Sequence, residues 1–199
     1  MEGRRASGWR ASEGAALVEV LLAGALVVSL AGLAVPLTAQ AADSARARSA
    51  TSYVAARLRQ ARAHAVGHGQ ATALVFERTG SQWGFQRCSD GNGNGVRRAD
   101  IADGRDPCHT PPEMLARQFP GSELAIGAGI PDVDGNPGSA AVRFGTGAMA
   151  SCSPLGHCTP GTVYVRSGRG EQFAVRISAV TGRTRLLRFD PGTRAWRAE

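Results

Sequence analysis

The pattern of hydrophobic and polar positions divides this chain of 199 residues into stretches of different character. Residues 20–42 form a run of 23 positions without a formal charge, which is long enough for a helix to cross a hydrocarbon core. Small or apolar residues then recur every three or four positions, which predicts an amphipathic helix. This apolar stripe consists of Ala47, Ala50, Val54, Leu58, Ala61 and Ala65. Gly67 and Gly69 predict the C-terminal end of that helix.

From residue 71 onward, short β-favouring runs alternate with turn residues, a pattern typical of antiparallel sheets. The predicted strands cover 71–76, 83–87, 114–119, 141–144, 162–166, 173–180 and 183–189. The sequence therefore predicts an α+β fold. A long N-terminal helix, transmembrane in its first half, would pack in its second half on an antiparallel β-sheet head.

The apolar run admits three interpretations. Three arginines lie before it, at positions 4, 5 and 10, and such a positive flank is expected to stay cytoplasmic. A secretory signal peptide is one interpretation, since the A-x-A pattern at 39–41 fits a cut after Ala41, and a plain membrane anchor is the second. Neither accounts for Glu19, because a carboxylate in hydrocarbon costs about 2.5–3.5 kcal/mol.

The third interpretation accounts for this acid. The residues Gly-Ala-Ala-Leu-Val-Glu-Val-Leu-Leu at 14–22 resemble the amino terminus of type IV prepilins. The resemblance implies that a prepilin peptidase cuts between Gly14 and Ala15, which makes Glu19 the fifth residue of the mature chain and Pro36 the twenty-second. It also implies N-methylation of the new terminus. The family usually has phenylalanine where this chain has Ala15, and a basic residue where it has Glu13.

Carried along the chain, the prepilin resemblance implies four segments. They are a leader peptide (1–14), a transmembrane and filament-core helix (15–42), its amphipathic continuation (43–69) and a β-rich head (70–199). The resemblance further implies a single pass through the inner membrane, with the head in the periplasm or outside the cell. Its expected partners are the prepilin peptidase and other pilins or pseudopilins, which dock through Glu19.

The end of the predicted amphipathic helix carries a second resemblance. Residues 58–66, Leu-Arg-Gln-Ala-Arg-Ala-His-Ala-Val, match the L-x-x-A-R-x-x-A pattern of the GspH/FimT group of minor pseudopilins. The resemblance implies a subunit of a type II secretion system or type IV pilus that acts by packing and carries no enzymatic activity.

Asp90, Asn92 and Asn94 alternate with glycines and match the first half of an EF-hand-type calcium loop. The twelfth position, however, is Ile101 where such loops carry a bidentate glutamate. A turn-rich hairpin tip is the favoured interpretation, with calcium as the alternative and no other cofactor expected.

Four cysteines allow three disulfide pairings, of which the local one is predicted. It joins Cys88 to Cys108 and Cys152 to Cys158, so that each bond closes one excursion of the head. The alternative is a structural zinc held by thiolates with His109 or His157, but no C-x-x-C spacing supports it.

Near the carboxy terminus, the sequence Gly-Arg-Thr-Arg at 182–185 resembles an element of FimT-like minor pilins associated with DNA uptake. On a strand, Arg183 and Arg185 project from the same face, where two guanidinium groups suit contacts with phosphates. Arg188 belongs to the same candidate DNA-binding set, and Phe189 and Trp196 are candidates for base stacking. The alternative interpretation is an edge strand whose charges prevent aggregation.

Composition narrows the function classes further. All 23 residues counted as Lys or Arg are arginine, and the net charge is +7. Without lysine, the chain can form neither a Walker A loop nor a lysine Schiff base. The glycine-rich stretch 145–150 resembles a dinucleotide-binding loop, but Cys152 and Pro154 follow where a helix is required. No motif in the sequence indicates an enzymatic activity.

Overall fold

The first element of the protein is one long helix, α1 (Arg10–His68). The computed structural model describes the backbone of residues 10–199 and the side chains of residues 16–30 and 38–199. The side chains of Gly14, Ala15 and Pro36 and most of the predicted leader lie outside the described residues. The chain divides into two compact units, Met1–Ala42 and Asp43–Glu199. Within the described part of the chain, no helix is both long enough and apolar enough to span a membrane.

The helical part of the second unit follows the predicted stripe. All six stripe residues are buried, with at most 2% of their surface exposed: Ala47, Ala50, Val54, Leu58, Ala61 and Ala65. The helix ends at His68, and Gly69 adopts a φ of +62°, a left-handed conformation that glycine tolerates at little cost. The predicted amphipathic helix and its glycine end are therefore confirmed.

In the described part of the chain, ten strands form two antiparallel sheets, which pack with the helical part of the second unit. The first sheet has the order β3-β2-β1-β6 and contains β1 (Thr72–Thr79), β2 (Gln82–Ser89), β3 (Glu113–Met114) and β6 (Met149–Cys152). The second has the order β10-β9-β8-β7-β4, with β5 also paired to β7. Its strands are β4 (Glu123–Leu124), β5 (Val142–Arg143), β7 (Gly161–Arg166), β8 (Gln172–Ile177), β9 (Thr184–Asp190) and β10 (Ala195–Ala198).

One apolar cluster joins the helix to both sheets. Val54 and Leu58 of α1 pack in the same cluster as Phe76 and Phe85 of the first sheet, and as Val163 of the second. Successive side chains of a strand point to opposite faces of a sheet. Alternate residues of β7 and β8 therefore place one face of the second sheet against this core. The predicted α+β architecture is confirmed.

The prediction of a strand over 114–119 is wrong. Only Glu113–Met114 pair with β2, and the chain then turns into the short helix α3 (Leu115–Gln118), which buries Leu115. Another short helix, α2 (Arg98–Ala102), lies in the excursion that was expected to be a hairpin tip. The strand predicted over 173–180 ends earlier, at Ile177, where the turn into β9 begins.

Both predicted local disulfides are present. Cys88 is bonded to Cys108 and Cys152 to Cys158, with the Cα atoms 4.0 Å apart in each pair. Cys88 is the penultimate residue of β2 and Cys152 the last residue of β6, so each bond fixes the base of an irregular segment to a sheet. All four sulfur atoms are in disulfides, which leaves no thiolate for the alternative zinc site.

Candidate functional site

The Asp-rich loop between Cys88 and Cys108 is held by its own carboxylates. Asp90 accepts hydrogen bonds from the backbone N–H groups of Gly93 (2.8 Å) and Gly95 (2.7 Å). Asp106 accepts bonds from the N–H groups of Gly91 (3.0 Å) and Arg97 (2.8 Å). These buried acids satisfy backbone donors that the turns leave unpaired. The loop is therefore closed by backbone-to-carboxylate bonds as well as by a disulfide.

The Asp100 carboxylate binds two side chains of the same loop. Asn94 donates a hydrogen bond to it from Nδ2 (3.0 Å), and Arg105 forms an ion pair with it at 3.2 Å. Hydrogen bonds from Asn94 and Asn92, helped by the positive charge of Arg105, lower the pKa of the Asp100 carboxyl group. Within the described part of the chain, no group of three or more His, Cys, Asp or Glu side chains is arranged to hold a metal ion.

The second sheet carries a row of paired residues across four of its strands, and three of these residues are arginines. Arg143 of β5 is paired with Thr162 of β7, Thr162 with Arg176 of β8, and Arg176 with Arg185 of β9. Directly paired residues of an antiparallel sheet project from the same face. The opposite face carries Val163 and other core side chains, so this row lies on the outer face.

The row lines an open pocket of about 670 Å³, which we call the arginine groove. Its lining includes Arg143, Arg176, Arg183 and Arg185, together with Asp134. The sequence prediction placed Arg183 and Arg185 on one face, and both line the groove. Their guanidinium groups are exposed and form no ion pair with any residue that the structure describes. Exposed, unneutralised guanidinium groups favour contacts with anions, above all with phosphates.

The structure does not bring Arg188 to the arginine groove. Arg188 pairs in register with Phe173, a core residue, and therefore projects from the opposite face of β9. Its guanidinium group lies 5.9 Å from the centre of the Phe173 ring and 3.4 Å from the Glu171 carboxylate. The candidate DNA-binding set is thus split between two faces of the sheet.

The aromatic side chains predicted for base stacking are engaged within the head. Trp196 packs against both Tyr164 and Phe189, with ring centres 5.4 Å apart in each pair. Its indole N–H donates a hydrogen bond of 2.9 Å to the carbonyl of Pro131. These rings hold the 131–137 loop against the sheet.

The predicted filament-assembly residues lie in the first unit. Glu19 is an exposed residue of α1, and its described apolar neighbours Val18 and Val20 are 55% and 70% exposed. The backbone positions of Gly14, Ala15 and Pro36 also fall within the helix. Among the described residues 16–30, Glu19 is the only charged side chain, and an acid at this position is the feature that carries the prepilin resemblance.

Arg143 and Arg176 are the groove residues that the sequence analysis did not single out. Arg176 lies between the buried residues Val175 and Ile177 of a correctly predicted strand, so alternation alone places it on the outer face. Its position opposite Arg185 depends on the strand register, which no residue pattern revealed.

Comparison with known proteins gives one match. Residues 50–182 match the model of a protein family described as GspH, type II transport protein. This match covers the C-terminal third of the α1 helix and most of the β head, including both disulfides and the groove arginines Arg143 and Arg176, and it ends just before Arg183. No curated protein and no solved structure matches the chain.

Proposed function

The chain belongs to the GspH family of type II transport proteins, and from this premise we propose that it is a minor pseudopilin, cut after Gly14 and assembled into a filament with other pseudopilins. Membership of this family supports the role of a structural subunit rather than that of an enzyme. The observation that carries the proposal is the offset of Glu19, which is the fifth residue after Gly14 on a surface of apolar helix residues.

The segment 15–42 is the membrane and filament anchor in this proposal. Before assembly it would reside in the inner membrane, with the arginines at 4, 5 and 10 on the cytoplasmic side and the β head in the periplasm or outside the cell. The disulfides fit that side, because such bonds persist in oxidising compartments. Assembly would transfer the apolar helix surface from lipid to a core made of neighbouring helices.

Glu19 provides register in that assembly. Cleavage after Gly14 creates an ammonium group at Ala15, four residues and about one helical turn before Glu19. A carboxylate that costs free energy in hydrocarbon is stabilised when such an ammonium group pairs with it, within the subunit or from a neighbour. The proposal therefore predicts a mature chain that starts at Ala15.

We propose DNA binding as a second candidate function. The observation that favours it is the arginine groove, where Arg183 and Arg185 are exposed and carry no neutralising carboxylate among the described residues. Contacts with phosphates through such groups are independent of sequence and depend strongly on salt. The function would be DNA uptake through a minor pilin of this family.

Replacing Arg183 and Arg185 by glutamine tests this second function. Each lost phosphate contact lowers the salt dependence of binding by about one unit in the slope of log K against log salt concentration. We expect the double variant to bind duplex DNA more weakly, with a slope smaller by about two. Fluorescence anisotropy of the full-length chain in detergent, at several salt concentrations, measures both quantities.

The matched control replaces Arg78 and Arg117 by glutamine. Both residues are exposed, neither lines the arginine groove, and the change in net charge is the same. The control variant should keep the slope of the wild-type protein. Equal slopes for the wild-type protein and the Arg183/Arg185 variant would contradict DNA binding at this groove.

A further inference from the structure

Two carboxylates of the 131–137 loop pair with two of the four arginines in the groove. Asp132 pairs with Arg143, and Asp134 pairs with Arg176 at 2.7 Å. Arg183 and Arg185 have no such partner among the described residues. The groove therefore contains its own counterions for half of its guanidinium groups.

The two acids differ in how firmly they are held. The Asp132 side chain is fully buried, and its carboxylate accepts hydrogen bonds from the backbone N–H groups of Asp134 (2.8 Å) and Asn136 (2.9 Å). Asp132 thus shapes the loop, and its pair with Arg143 is part of the fold. Removing it would leave backbone donors unpaired.

Asp134 has no comparable anchor. Its side chain is 51% exposed, and among the described residues its carboxylate binds only Arg176, which is itself 43% exposed. Exposed ion pairs of this kind contribute little to stability, since water and salt screen them. Such a pair can therefore exchange one anion for another without unfolding the loop.

Resting on the proposed DNA contact, we propose that Asp134 is an internal competitor of nucleic acid and that Arg176 is a third phosphate ligand. In the free protein, Asp134 neutralises Arg176. When DNA enters the groove, a phosphate on Arg183 and Arg185 brings the next phosphate of the strand near Arg176, which lies opposite Arg185 in the sheet. That phosphate displaces the Asp134 carboxylate, while Arg143 stays bound to Asp132.

The displacement sets the affinity of the groove. A guanidinium group binds a phosphate through two parallel hydrogen bonds, as it binds a carboxylate, so the two anions compete for the same donors. The free energy gained when Arg176 binds the phosphate is reduced by the free energy lost when its ion pair with Asp134 breaks. The free protein is thereby kept from binding anions tightly, and the backbone of DNA overcomes the competition because it engages several arginines together.

The test compares DNA binding by four full-length variants with the wild-type protein, using the same duplex oligonucleotide and salt series. We expect D134N to bind about two to five times more tightly, the range set by losing one exposed ion pair. R176Q should bind more weakly, with a salt slope smaller by about one. The double variant D134N/R176Q should behave like R176Q, because the competitor acts through Arg176 alone.

D103N is the matched control for charge. Asp103 also forms an exposed ion pair, with Arg105 at 2.6 Å, and does not line the groove. A gain for D134N no larger than that for D103N would overturn the inference, as would a gain that persists in the R176Q background. If the Arg183/Arg185 variant binds normally, DNA binding at the groove itself fails. If that variant binds weakly while D134N shows no gain, only the role of Asp134 fails.

Discussion

Replacing Glu19 by alanine is expected to abolish incorporation of the chain into filaments while its level in the membrane fraction stays unchanged. The carboxylate is the only formal charge between residues 14 and 42, so the variant has a more apolar segment and loses nothing required for insertion. It loses the partner of the new ammonium group at Ala15. Sheared-filament fractions and whole membranes, probed with the same antibody, measure the two quantities.

Ser29→Ala is the control in the same segment. Ser29 donates its hydroxyl hydrogen bond to the carbonyl of Ala25 in its own helix, at 2.8 Å, so this donor is satisfied within the helix. This variant should assemble normally. The β head of both variants should keep its fold, because Glu19 lies in the other unit of the chain. Wild-type incorporation of the Glu19 variant would contradict the assembly mechanism.

The largest loss of stability is expected from Phe76→Ala in strand β1. The Phe76 ring is fully buried, lies parallel to Phe144 with ring centres 5.7 Å apart, and contacts Phe85 at 5.9 Å. Truncation removes apolar contacts and leaves a cavity, which lowers the free energy of unfolding by about 3–5 kcal/mol. Denaturant titration of the protein with its disulfides intact measures this change.

Phe76→Leu separates the cavity from other effects of the substitution. Leucine restores much of the lost volume, so its cost should be clearly smaller than that of alanine. A loss below about 1 kcal/mol for Phe76→Ala would mean that this ring does not fill the core between the helix and the sheets.

Periodicity and local spacing predicted the parts of this fold that depend on near neighbours. The helix stripe from Ala47 to Ala65 follows from the 3.6-residue repeat, and every one of its members is buried. Both disulfides close short segments, which made the local pairing the favoured one. The strand β8 was predicted because its β-favouring residues form a short run between turn residues.

The elements that sequence missed depend on distant partners. β6 and β10 are four residues each, too short to show a repeat, and they form because a neighbouring strand is present. The region 114–119 has strand-like composition, but burial of Leu115 selects a helical turn there. The arginine groove was predicted only at Arg183 and Arg185, because the register that brings Arg143 and Arg176 beside them joins residues far apart in the chain.

The measurement that tests the central claim most directly is the amino-terminal residue of the mature protein, determined by mass spectrometry of the terminal peptide from its own cells. The account predicts a chain that begins at Ala15, with or without a methyl group, and so retains Glu19 and Pro36 for assembly. A chain that begins at Ala42 would instead be an exported protein released by signal peptidase. It would lack both residues and would contradict the proposal of a filament subunit.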